Sequence, residues 1–390
     1  MKVEKLGNLC QIVIGRTPSR SIDKYWGKGH KWVSISDMKG KVIYDTKEEI
    51  TDEALKEIRC RKIEKDTLMM SFKLSVGKLA FAGCDLYTNE AIAALEIKDK
   101  SKIYPEYLFY ALKVTPMIGG NRAVKGITLN SKSLADLRIP LPPLEEQIQI
   151  ATVLSKAENL IAKRKESIEL LDEFVKSTFL EMFGDPVRNE KGWERNNFGS
   201  VIEILTDYHA NGSYEILRDH VTLKKEPDYA LMVRTTDLEK NDFSGDCNYI
   251  DEKTYNFLER SKVFGGEIII NKIGSAGKVY LMPKLNRPTS LGMNAFLLRF
   301  NENANNLYVY HLLVSDYGKN SIEKRVKGAV TKTITKEAVR GIEIPIPPLS
   351  LQNEFAEIVN RVEVLKEKYQ KSLEELENLY GSLSQRAFRG

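Results

Sequence analysis

Ile139-Pro140-Leu141-Pro142-Pro143-Leu144 returns 205 residues later as Ile344-Pro345-Ile346-Pro347-Pro348-Leu349. The register then holds without a gap, with Gln147 meeting Gln352, Ala151 meeting Ala356, Leu171 meeting Leu376 and Phe183 meeting Phe388. Upstream the offset is 200, pairing Val33 and Asp37 with Val233 and Asp237, and Ser75, Gly77 and Lys78 with Ser275, Gly277 and Lys278. A period of half the chain means two copies of one module, not a solenoid of short repeats.

Each copy ends in a segment that reads as a long helix. Pro142 and Pro143 stand where a helix start tolerates proline, and Gly184 followed by Pro186 supplies the stop. Leu154, Ile161, Ile168 and Val175 recur at sevens in the first copy, and Val362, Tyr369, Leu376 and Leu383 in the second. A heptad stripe wants an apolar partner. Either each helix packs on its own lobe as an ordinary amphipathic helix, or the two pair with each other. Pairing is the economical solution: an antiparallel coiled coil about an approximate two-fold axis, each helix a spacer of about 60 Å. The expected fold is α+β, with lobes at 1–143 and 184–348 and helices at 144–183 and 349–390.

Charge follows the same division. Residues 1–143 carry a net +8 and residues 184–348 a net +1, while 144–183 and 349–390 are acidic, at −3 and −1. Positive excess in the globular parts points to a polyanionic partner. Basic residues there are interleaved with small polar and aromatic ones: Arg16 in Gly15-Arg16-Thr17-Pro18-Ser19-Arg20, Lys31 beside Trp26 and Trp32, Lys73 and Lys78, then Arg122 and Lys125. The second lobe offers Arg234, Lys272, Lys278, Arg325 and Lys332. Any one of these alone is a solvated surface charge; as a set matched between two copies they favour DNA, with Lys and Arg neutralising phosphates and a few side chains reading bases.

Motifs for chemistry are sparse. The four cysteines form no Cys-x-x-Cys pair and the four histidines are isolated, which fits neither a disulfide framework nor a zinc site. Gly274-Ser275-Ala276-Gly277-Lys278 lacks the spacing and the trailing hydroxyl of a phosphate loop, leaving a turn between strands or a lysine that meets phosphate. No glycine-rich cofactor loop is found, and Pro227-Asp228 with Glu239-Lys240 is too loose a pattern to assign a nuclease. No apolar run approaches a membrane span and the N-terminus has no secretory pattern, so a cytoplasmic protein is expected.

At this point the chain resembles the specificity subunit of type I DNA restriction-modification enzymes. The resemblance rests on Leu6-Gly7-Asn8-Leu9, on Gly15-Arg16-Thr17-Pro18-Ser19, on Trp32-Val33-Ser34-Ile35-Ser36-Asp37-Met38, on Lys191-Gly192-Trp193-Glu194, and on the proline-rich lead-in used twice. It implies two target-recognition domains and no catalytic residues. It implies double-stranded DNA as partner, with two modification (methylase) subunits and, through them, restriction subunits. Those partners use S-adenosylmethionine, ATP and Mg, none bound by this chain. The other reading left by the sequence is a self-contained DNA-modifying or DNA-cleaving enzyme, and a third is a coiled-coil scaffold.

Overall fold

The computed structural model describes residues 2–117, 121–123 and 126–388, with 121–123 and 126–128 described by backbone alone. It divides into two compact units, 1–165 with 371–390, and 166–370. Each unit therefore holds one lobe together with part of both long helices.

In the first unit a five-stranded sheet runs in the order Cys10–Ile14, Ile92–Ile97, Leu68–Ser71, Leu79–Ala82, Val42–Ile43, beside a three-stranded sheet of Glu48–Ile50, Trp26–Val33 and Tyr87–Thr88. Leu68–Ser71 is buried at every position, as a central strand covered on both faces must be. The helix Pro105–Val114 packs against this sheet through Tyr107, Leu108 and Leu112. The second unit repeats the plan. Ile202–Asp207, Ala295–Phe300, Ile268–Asn271 and Val279–Leu281 form one sheet, and Asn248–Ile250, Ala230–Val233, Thr289–Leu291 and Lys262–Val263 another. The matched pairs Asp37 and Asp237 prove to be turn braces: each carboxylate accepts the backbone N–H three residues earlier, from Ser34 and Arg234, at 2.8 Å.

The long helices span Leu144–Phe183 and Leu349–Phe388. Gly184, at φ +76°, closes the first in a left-handed conformation that glycine adopts without steric cost. Within each unit the helix segments run antiparallel. In the first, Tyr380 donates to Glu158 at 3.0 Å and Lys165 pairs with Glu377 at 2.8 Å. In the second, Lys366 meets Asp172 at 2.5 Å and the rings of Phe179 and Phe355 lie 5.5 Å apart. Of the expected seam, Leu154, Val175 and Val362 are buried, whereas Ile161, Ile168, Tyr369, Leu376 and Leu383 are half-buried. A two-helix seam shields its residues fully only where a lobe closes over it.

Each lobe is joined to its helix by the same device. Gln147 is fully buried; its carbonyl accepts Tyr104 N–H at 2.9 Å, and its amide donates to the carbonyls of Lys102 and Pro142. Gln352 repeats this with Asn305 N–H and the carbonyls of Asn303 and Pro347. Nearby, Tyr107 donates to the Pro140 carbonyl and Tyr308 to that of Pro345. Under each tyrosine sits a phenylalanine from the end of the other helix, Phe388 at 5.5 Å from Tyr107 and Phe183 at 4.7 Å from Tyr308. Replacing Gln147 by Leu strands buried backbone groups without partners, and is expected to cost about 1–3 kcal/mol, read as a lowered midpoint in denaturation of the full chain.

Candidate nucleic-acid interface

In each lobe the segment after the strand that ends at Val33 or Val233 meets the hairpin at 72–78 or 272–278 along one edge. In the second lobe the basic segment that follows the main helix joins this edge, and in the first Leu129 does. In the first lobe Lys78 Nζ donates to the Ile35 carbonyl at 3.3 Å, and Leu129 N–H donates to the Phe72 carbonyl at 2.9 Å. In the second, Lys278 pairs with Glu239, Gly274 N–H donates to the Lys332 carbonyl at 3.0 Å, and Ile334 N–H to that of Lys272 at 3.1 Å. Gly77 and Gly277, at φ +93° and +87°, let the hairpins turn so tightly that their N–H groups reach back to Ser71 and Asn271. The glycine-rich element around Lys278 is thus a turn between strands.

The cations singled out in the sequence differ in how far they are free to meet an anion. Lys73 lies against the Phe72 ring at 5.3 Å, Lys78 is exposed, and Lys332 is exposed with no side-chain partner among the described residues. Lys278 is half-exposed and its ammonium is held above the ordinary lysine value by the Glu239 carboxylate. Others spend their charge internally. Arg234 is fixed to Asp237 at 2.6 Å, which raises its guanidinium further. Lys272 and Lys336 both grip Asp207, at 2.9 and 3.1 Å; burial pushes that carboxyl up, but the two lysines outweigh it and leave it below the usual carboxylate range. Arg325 donates to the carbonyls of Ser321 and Gly341, strapping the basic segment to the lobe.

Arg16 and Lys31 are held by partners outside these loops. Arg16 donates to the Ile58 carbonyl at 2.8 Å, and a β-carbon on its neighbour Gly15 would overlap the Thr88 carbonyl, so this loop is built for close packing. Lys31 bonds Asp45 at 2.7 Å, and that bond raises the ammonium. Lys125 lies outside the described residues, as does the side chain of Arg122.

Lys125 and Lys327 stand in one tripeptide, Val124-Lys125-Gly126 and Val326-Lys327-Gly328, at an offset of 202. In the second lobe Lys327 and Thr333 exchange both backbone hydrogen bonds at 2.8 Å, which makes a short hairpin with Val330 at its tip, 99% exposed. The carboxylates considered for a nuclease do not converge: Asp228 is bound to Lys224 and Glu239 to Lys278. Among the described residues no group of three His, Cys, Asp or Glu side chains is placed to hold a metal ion, and no helix is long and apolar enough to cross a membrane.

The family profile described as type I restriction modification DNA specificity domain matches residues 1–170 and 190–378, one match on each copy of the repeat. The MjaIX specificity subunit of Methanocaldococcus jannaschii, a type I restriction enzyme component, is 27% identical over 92% of this chain and 85% of its own. The MjaVIII specificity subunit of the same organism is 24% identical over 96% and 89%. The S subunit of a type I restriction-modification system from M. genitalium superimposes with a TM-score of 0.60 at 15% identity, covering 100% of this chain and 96% of that one. A chain from a structure on complex assembly of the type I system gives 0.59 at 17%, covering 100% and 97%. The profile matches both copies of the repeat and most of the sequence, and the chain belongs to the family of type I restriction-modification DNA specificity subunits.

Proposed function

We propose that each lobe reads one half of a bipartite, asymmetric DNA target, that the paired helices set the gap, and that two modification subunits dock on the helices and bring restriction subunits with them. The observation that carries this is the loop edge itself, in which the segment after the strand and the hairpin tip recur in both lobes but with different residues at the tips: Lys73 and Leu74 in one lobe, Ile273 and Gly274 in the other. Matched scaffolds with unlike tips suit two unlike half-sites. Methylation and cleavage are the work of the partners, which would use S-adenosylmethionine, ATP and Mg, and the chain itself would act in the cytoplasm without a cofactor.

Docking twice is supported by a row beside the helix seam. In the first unit the heptad register sets Val153, Leu160 and Leu379 on one flank, 45, 54 and 51% exposed. Their repeat counterparts in the second unit are Ile358, Leu365 and Phe174, the last two 37 and 51% exposed. Ile358 packs on the core, so two matched apolar positions are left exposed in each unit, Leu160 with Leu379 and Leu365 with Phe174, which suits one kind of partner bound in two copies.

The test is salt. Contacts to about six phosphates predict a loss of roughly a thousandfold in duplex affinity between 50 and 200 mM salt, measured by titrating labelled duplex with the full chain and its modification subunit. Affinity that is flat over this range refutes DNA binding by the loop edges. The full chain alone, incubated with DNA, Mg²⁺ and S-adenosylmethionine, should neither cut nor methylate.

A further inference from the structure

Leu74 stands at the tip of the first lobe's hairpin with φ +63° and 68% of its surface exposed. Both properties are unfavourable for leucine. A branched side chain is strained in the left-handed region, and an isobutyl group in water gains nothing from folding. The second lobe shows that the turn does not require it, since the matching position is Gly274 at φ +82°. Nor is Leu74 a displaced core residue, because Val76 from the same turn packs on the hydrophobic core. The tip is held firmly: the Ser71 hydroxyl bonds the Ser75 carbonyl and accepts the Lys78 N–H, and Gly77 N–H donates back to the Ser71 carbonyl. An apolar side chain is thus presented outward on a braced turn between Lys73 and Lys78.

We propose that Leu74 is a specificity-determining contact of the first lobe, meeting the 5-methyl group of a thymine in the major groove while its flanking lysines meet phosphates. This rests on the reading of the loop edge as the DNA-contacting face. Flanking cations commit the partner to a polyanion, and the base-edge group in duplex DNA that an isobutyl side chain can recognise is the thymine methyl. Contact with it repays the exposure and the backbone strain only when DNA is bound.

The full chain, co-expressed with its modification subunit, is used to select bound duplexes from a randomised library. Thymines of the selected sequence are then replaced singly by deoxyuridine, which removes only the methyl group. With the wild-type protein, one such replacement in one half-site should lower affinity about three- to tenfold, the value of one or two buried methyl-sized contacts. Leu74→Gly, which relieves the turn and so should unfold at no lower temperature, should show the same loss on the thymine duplex and no further loss with deoxyuridine. Leu74→Asn, whose side chain tolerates left-handed backbone, should behave likewise. Equal affinities and unchanged deoxyuridine sensitivity in both variants overturn the role of Leu74 and leave the loop edge standing. A wild-type complex that selects no sequence overturns both.

Discussion

Exchanging residues 1–143 for the first lobe of a relative is expected to replace one half of the recognised sequence and leave the other half untouched. The effect is large. Specific sites are bound roughly 10³-fold or more tightly than unrelated DNA, so the exchanged protein should abandon the original target almost completely in favour of the hybrid one. The joint between lobe and helix makes the graft feasible. Gln147 and Gln352 hold their lobes through a backbone N–H and backbone carbonyls, at Lys102, Tyr104 and Pro142 in one unit and at Asn303, Asn305 and Pro347 in the other. Backbone groups are offered by any sequence that keeps the local chain path, so lobes of unlike composition can seat on one joint. Two further contacts must be preserved, the Tyr107 hydroxyl on the Pro140 carbonyl and the Tyr107 ring on Phe388. The outcome is read by sequencing duplexes selected by the hybrid complex, and a change in both halves would sink the division of labour between lobes.

Much of this architecture is visible in the sequence because its determinants are local. Pro142-Pro143 before the first long helix and Gly184 after it act within a turn of where they stand, and the helix indeed runs Leu144–Phe183. What escapes is nonlocal. Val42–Ile43 pairs in parallel with Phe81–Ala82 across about forty residues, and nothing in either dipeptide names the other. Gln147 is visibly repeated at Gln352, yet its role is hidden because its partners are backbone atoms that carry no sequence signal. The compact units cut across the expected division into lobes and spacers for the same reason: Phe388 and Phe183 each close the base of the lobe that the other helix follows.

The loop edge was legible in part. The repeat marks Lys78 and Lys278 and composition marks Lys332 as basic, and all three lie at this edge. It cannot mark which charges are already engaged. Lys272 meets Asp207 from 65 residues away and Lys31 meets Asp45 from 14, separations at which any pairing of signs looks equal on paper. Leu74 was invisible for another reason: an exposed leucine is ordinary, and its backbone angle is a property of the folded turn.

Acidification below pH 6.5 is expected to loosen the second unit before its carboxylates protonate. His311 lies in the helix Asn306–Val314, its ring edge-on to Phe355 at 5.3 Å. Burial lowers its pKa from 6.5 to about 4, with the Asp172 carboxylate pulling weakly the other way. That carboxylate is itself occupied by Lys366 at 2.5 Å, so it offers little to an imidazolium. Between these two values the unfolded chain takes up a proton that the folded chain refuses. Stability is therefore full above pH 6.5 and falls as the pH drops toward 4, by about 3 kcal/mol in all. The carboxylates act lower. Asp207, held below its ordinary value by Lys272 and Lys336, gives up its contribution only as the pH falls below about 4. The first unit has no such histidine at this place, since the matching residue is Tyr110, which donates to Glu158 at 2.8 Å. Amide hydrogen exchange at residues 309–313 should show protection falling between pH 6.5 and 4.5, and His311→Leu should flatten that slope. Protection in the wild-type chain that is constant over this window, after correction for intrinsic exchange, would show that the imidazole is freely hydrated and that the packing of His311 against Phe355 does not govern the acid response.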